Sequence, residues 1–142
     1  MSVLDLCCGK GGDVPKWKFV RPSHYVGADL SGTSVKEAQR RYGEIILDKV
    51  RPVEAPPAIF IVADCGDEKN LISTILETEP SLKSLRKKIM FDIVSCQFSV
   101  HYMFEHESKL RAFFRNVTDR LEPGGVFIGT TIDSDRVVHK IR

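Results

Sequence analysis

Apolar runs alternate with amphipathic stretches along nearly the whole chain. Ser2–Leu6 reads as a short strand, and Asp13–Phe19 begins a helix behind the glycine-rich turn that follows it. His24–Leu30 (HYVGADL) is a second strand. Ser34–Leu47 is helical, with Val35, Ala38, Tyr42 and Ile45-Ile46 near helical spacing and Ser31 or Thr33 as candidate caps. Three prolines put Lys49–Pro57 in a loop. Ala58–Ala63 (AIFIVA) is a third strand, and Glu68–Lys88 is helical with an interruption around Glu79-Pro80. Phe91–Cys96 (FDIVSC) is a fourth strand, followed by the loop Gln97–Tyr102. A helix over Glu107–Leu121, a turn at Glu122–Gly125 and a fifth strand over Val126–Ile132 complete the pattern.

Strands that alternate with helices predict an α/β fold, a Rossmann-like parallel sheet with right-handed crossovers. The length, 142 residues, fits a single domain over 1–142. Ligands of such sheets lie beyond the carboxyl ends of the strands. The polar residues at those ends are Asp5 and the glycine turn, Asp29, Asp64, Gln97 with His101-Tyr102, and Thr130-Thr131.

Composition adds little beyond an ordinary globular character: 42% hydrophobic and 28% charged residues. No apolar run approaches the roughly 20 residues that span a bilayer, so no membrane contact is expected, and Met1 leads directly into a core strand without a signal peptide. A net charge of +2 does not by itself argue for nucleic acid. The basic residues do cluster, as Lys10, Lys16, Lys18 and Arg21, then Arg40 and Arg41, then Lys83, Arg86, Lys87 and Lys88. Cys7, Cys8, Cys65 and Cys96 form no CxxC pair, which argues against zinc and against a disulfide framework. They read as free thiols filling small apolar positions in an intracellular reducing compartment.

The chemistry concentrates in Val3-Leu4-Asp5-Leu6-Cys7-Cys8-Gly9-Lys10-Gly11-Gly12-Asp13. A turn of small residues lets backbone approach a nucleoside-like ligand closely. A dinucleotide fingerprint matches only partially, in the frame Cys7-x-Gly9 followed by Gly12. The better fit is acid-x-small-x-Gly-x-Gly, namely Asp5, Cys7, Gly9 and Gly11, which resembles the first motif of class I methyltransferases that use S-adenosyl-L-methionine. Asp29 then suits a pair of ribose hydroxyls, because a carboxylate accepts two charge-assisted hydrogen bonds. Asp64 is placed for the adenine amine.

Longer stretches narrow the resemblance. VLDLCCGKGGDVPKW, SVKEAQRRY, FDIVSCQFSVHYMFE and LEPGGVFIGTTIDS are similar to the messenger RNA cap guanine-N7 methyltransferases. This resemblance implies that Asp29 holds the ribose, Asp64 the adenine side, and Gln97 and Tyr102 the methionine and adenosine portions. It also implies that Lys10, Lys16 and Arg41 face the cap phosphates and that His101 contacts the guanine. His101 and Tyr102 would position substrate; no residue is expected to serve as acid, base or nucleophile, and no metal is implied. A capped RNA 5′ end, capping-machinery proteins and a nuclear location follow from the same resemblance.

Two departures stand out. The family normally has glycine or another very small residue where this chain has Cys7. The family's complete fold also has two strands beyond the fifth and helices upstream of the first, so the sheet is expected to be truncated after strand 5, with apolar edge and face uncovered. Methylation of another RNA or a small molecule, and a non-catalytic cofactor- or RNA-binding module, remain open alternatives.

Overall fold

A computed structural model describes residues 1–46, 57–67, 71–78 and 89–141. Among these residues five strands and five helices alternate: β1 (Ser2–Leu6), α1 (Val14–Val20), β2 (His24–Asp29), α2 (Gly32–Ile46), β3 (Ala58–Val62), α3 (Leu71–Thr78), β4 (Phe91–Gln97), α4 (Glu107–Thr118), β5 (Leu121–Thr130) and α5 (Ser134–Ile141). A short 3-10 segment, Val100–Glu105, lies between β4 and α4. The strands form one parallel sheet in the order β3-β2-β1-β4-β5. The order reverses between β1 and β4, and the crevice beyond their carboxyl ends is where such sheets take ligands.

Each central strand is apolar because both its faces are covered. Leu4 and Leu6 pack with Val26, Ala28, Leu71, Ile75, Phe113 and Val117 on one side of the sheet. Val3 packs with Val14, Trp17, Tyr25, Val35, Ala38 and Phe60 on the other. Ser31 caps α2, its Oγ accepting the N–H of Ser34 at 3.2 Å, as one of the two candidate caps predicts. Cover thins toward β5, the edge strand, where Val126 and Ile128 are exposed, and α5 has no buried residue.

The structure corrects the expected pattern at four places. The helix expected to reach Leu121 stops at Thr118, because Leu121 is drawn into the sheet opposite Phe91. The expected turn at Glu122–Gly125 is instead an irregularity inside β5. Its pairing with β4 jumps from Leu121 to Val126, and Gly124 takes the left-handed backbone (φ +85°) that the jump needs. The expected loop after β4 contains the 3-10 segment, and α5 follows where no element was predicted, with Asp133 Oδ1 accepting the N–H groups of Asp135 and Arg136. The loop at 49–56, the interruption at Glu79-Pro80 and the basic cluster from Lys83 to Lys88 lie outside the described residues.

Candidate functional site

The turn leaving β1 is shaped by three consecutive odd positions in left-handed backbone: Cys7 at φ +56°, Gly9 at +55° and Gly11 at +71°. A Cβ on Gly11 would press against Ala38 and Val14 at 3.1 Å, so this glycine allows α1 and α2 to close on the turn. A Cβ on Gly9 would meet nothing within 4 Å, which leaves the outer face of the turn open. β2 fixes the turn from the side. Asp29 Oδ2 accepts the N–H of Gly9 at 2.8 Å, and Oδ1 accepts the N–H of Ser31 at 2.9 Å. Each oxygen retains a further lone pair for a ligand hydroxyl.

Asp64, at the end of the β3 segment, is half-buried and accepts the N–H of Gly66 at 2.8 Å. The turn it starts is held from beneath by Asn116 of α4, whose Nδ2 donates to the carbonyls of Cys65 (3.0 Å) and Asp67 (3.1 Å). The sequence reading passed over Asn116; its signal was a polar residue on the buried face of an amphipathic helix, between Phe113 and Val117.

At the end of β4, His101 and Tyr102 lie with ring centroids 4.2 Å apart. Tyr102 is largely exposed, so it is not packing beneath the sheet. His101 Nδ1 is buried without a hydrogen-bond partner. Phe98, in left-handed backbone (φ +57°), and Phe104 are exposed aromatics in the same segment.

Two sequence-predicted residues take different surroundings from those expected. The Asp5 carboxylate does not reach the open face of the turn. It is buried within the sheet, where Tyr25 Oη donates to it at 2.8 Å and Ser95 also donates. Burial raises its pKa from the ordinary carboxylate value to about 7, against the lowering effect of those two bonds. The Gln97 side chain turns along the sheet, donating to Ser95 Oγ at 3.2 Å and accepting from Thr130 Oγ1 at 3.1 Å. A chain of hydrogen bonds therefore runs from Tyr25 near the start of β2 through Asp5 and Ser95 to Gln97 and Thr130 at the carboxyl ends of β4 and β5.

The basic candidates are dispersed. Lys10 is exposed on the turn. Lys16, on the first turn of α1, is ion-paired with Asp13. Asp13 and Lys16 border a cavity of about 250 Å³ with Trp17, Val20, Ser95, Gln97 and Ile128, and Lys10 stands outside it. Arg41 sits about 13 Å down α2 from its first residue, its Nε 3.0 Å from Glu37 Oε1. The fold does not gather Arg41 with the strand ends, and Arg40 shares the same Glu37 carboxylate.

Comparison with known proteins decides the family. The family model described as the mRNA (guanine-N(7))-methyltransferase domain matches residues 1–142. The chain belongs to the mRNA (guanine-N(7))-methyltransferase family. It is 43% identical over 140 residues to the mRNA cap guanine-N(7) methyltransferase of Caenorhabditis briggsae, covering 99% of this chain and 33% of that protein. It is 39% identical to mRNA cap guanine-N(7) methyltransferase 1 of Oryza sativa subsp. japonica, covering 99% and 35%. The chain thus spans about a third of the length of the curated relatives it matches. Among solved structures, a Pyrococcus horikoshii protein aligns with TM-score 0.66 at 21% identity, covering 99% of this chain and 53% of that one. An S-adenosylmethionine-dependent methyltransferase from Clostridium acetobutylicum aligns with TM-score 0.61 at 22% identity, covering 90% and 41%. These likenesses establish the class I methyltransferase type of α/β fold.

Within the guanine-N7 methyltransferase family frame, Cys7 has a physical explanation. A position at φ +56° is one where glycine is at ease and a Cβ costs about 1–2 kcal/mol, which accounts for the small residue expected there. The same backbone breaks strand alternation: Leu6 and Cys7 both reach the cluster shared with Cys65 and Cys96. Cys8 turns the other way, its Sγ 3.1 Å from where a Cβ on Gly27 would stand. Among the described residues no group of three or more His, Cys, Asp or Glu side chains is arranged to hold a metal ion, and no helix is long and apolar enough to cross a membrane.

Proposed function

We propose that this chain carries the cofactor-holding and guanine-positioning core of an enzyme that transfers a methyl group from S-adenosyl-L-methionine to N7 of the 5′ cap guanosine of messenger RNA. The observation that carries the reading is the family match over residues 1–142, joined to a glycine turn anchored on a strand-end carboxylate. The open outer face at Gly9 and the remaining lone pairs of Asp29 fit a nucleoside diol.

In this reading Gly9 and Gly11 bring backbone against the cofactor, with Cys7 beneath it. Asp29 holds the ribose hydroxyls and Asp64 the adenine side. Gln97 and Tyr102 bound the methionine and adenosine portions, Gln97 after turning out of its contact with Thr130. Asp5 acts at one remove, by fixing β1 and β4 through Tyr25 and Ser95. When bound, S-adenosyl-L-methionine supplies an electrophilic methyl group on a sulfonium sulfur.

The acceptor nitrogen, N7 of guanosine, carries a free lone pair at neutral pH, so the transfer needs no general base. The chain's task is to hold the acceptor in line with the methyl group, a contribution that orientation alone makes large. His101 offers a buried ring nitrogen without an internal partner, and Tyr102 offers an exposed ring face, together suited to hydrogen-bond and stack on a purine. Lys10 and Lys16 suit the triphosphate bridge, Lys16 by releasing Asp13. Arg41 would serve the same bridge from farther along α2. A capped RNA end, capping-machinery partners and a nuclear setting complete the proposal.

The test is a methyl-transfer assay with three acceptors: GpppG-capped RNA, GTP and the same RNA without a cap. Transfer to the capped RNA alone supports the proposal. Transfer to uncapped RNA or GTP at equal efficiency would assign the site to another acceptor.

A further inference from the structure

Helix α4 reaches the turn after β3 at two points. Asn116 holds that turn through the carbonyls of Cys65 and Asp67. Two turns earlier on the same stripe of the helix stands Lys109, and its side chain lies against the residue between those two, Gly66. A Cβ on Gly66 would stand 2.6 Å from Lys109 Cγ and 3.2 Å from Lys109 Cε, the first closer than real side chains stand. Glycine is what leaves room for the lysine there. The same point is 3.3 Å from Asp64 Oδ1. The Asp64 carboxylate and the outer end of Lys109 therefore border the same few ångströms of space beside Gly66.

A helix lysine ordinarily lies out in solvent. Lys109 does not: its side chain is 27% exposed, where that of Lys16 is 78% exposed. The stem is packed and the head stays at the surface. Glu105, one turn earlier, holds the ammonium at 3.0 Å and is itself 61% exposed. Exposed pairs of this spacing are among the weakest contacts in a protein. Glu105 thus keeps the ammonium in place without competing strongly against a ligand. Glu105 first, and Asp64 after it, also raise the Lys109 pKa above its ordinary value, so the head is charged at neutral pH.

The edge of adenine sets two requirements side by side. Its 6-amino group donates, and ring nitrogen N1 next to it accepts. A carboxylate reads the amine, but it meets N1 only with lone pairs, so a donor is needed beside it. We propose that Lys109 is an adenine-specificity residue of the cofactor site, its ammonium leaving Glu105 to donate to N1 while Asp64 accepts from the 6-amino group. This contact rests on the cofactor reading above and adds the second half of the adenine edge to it. Of the two ring nitrogens that flank the amine, N1 is the one remote from the ribose, which Asp29 takes in that reading on the neighbouring strand β2.

The test titrates the full chain with S-adenosylhomocysteine and with its 1-deaza analogue, in which C–H replaces N1. The parent should bind S-adenosylhomocysteine about tenfold tighter than the analogue, the scale of one hydrogen bond from a charged donor. Lys109→Met keeps the stem and removes the ammonium. It should weaken S-adenosylhomocysteine about tenfold and leave the analogue unchanged, so that the preference for N1 disappears. A side chain that only packs the turn would weaken both ligands equally in Lys109→Met, and that result would overturn the proposal. So would a parent that binds both ligands equally, or a preference for N1 that survives in Lys109→Met. A folded parent that binds neither ligand would overturn the cofactor reading itself, and this contact with it.

Discussion

The backbone N–H of Gly9 donates to the carboxylate of Asp29 at 2.8 Å, so the end of β2 sets the shape of the turn that leaves β1. The same carboxylate holds Ser31 at the start of α2. Asp29 is thus both a brace for the turn and the proposed ribose ligand, and its two substitutions should separate those roles. Asp29→Asn keeps an acceptor for Gly9 and loses the charge, while Asp29→Ala loses both. Titration with S-adenosylhomocysteine should give an affinity at least tenfold weaker for Asp29→Ala, with Asp29→Asn between it and the parent. Parent-like affinity in Asp29→Ala would remove Asp29 from the site.

Asp5 predicts a pH dependence of stability. Its folded pKa of about 7 lies above the ordinary value of 3.8. In the interval between them the unfolded chain releases this proton and the folded chain keeps it. Stability from this group is therefore full below about pH 4, declines as pH rises toward 7, and levels off above, with a limiting slope of about 1.4 kcal/mol per pH unit. Urea unfolding between pH 4 and 8 should show this decline, and Asp5→Asn should flatten it. An unchanged profile in Asp5→Asn would show that Asp5 ionises normally.

Asn116 joins α4 to the turn that presents Asp64. Asn116→Leu removes two hydrogen bonds and leaves the carbonyls of Cys65 and Asp67 without that donor, a loss of about 2–3 kcal/mol. Hydrogen exchange should quicken at Gly66 and Asp67 while the sheet stays protected. Equal exchange in both proteins would mean that the turn holds itself.

The sequence made the sheet legible because its strands are bounded by prolines, glycines and terminal aspartates, and because the glycine turn marks which end carries ligands. It made Asp29, Asp64 and His101-Tyr102 legible by their places at strand ends. It could not show that Asp5 points into the sheet rather than onto the turn, since that depends on Tyr25 and Ser95 from neighbouring strands. Nor could it show Cys7 turning to the same side as Leu6, because that depends on left-handed backbone at Cys7. Helix ends were misplaced where pairing competed with propensity, as at Leu121.

His101 should govern the acceptor and leave the cofactor alone. His101→Ala is expected to lower kcat/KM for capped RNA by at least tenfold, about 1.4 kcal/mol in transition-state binding, with S-adenosylhomocysteine affinity unchanged. A loss of cofactor affinity with normal use of bound RNA would reverse the assignment of the β4 segment.

The position of the transferred methyl group decides the function. GpppG-capped RNA incubated with the protein and S-adenosyl-L-methionine labelled in its methyl group, then digested to nucleosides and cap dinucleotides, reports that position directly. Label is expected in the cap as 7-methylguanosine. Label on a ribose oxygen or an internal base would contradict it.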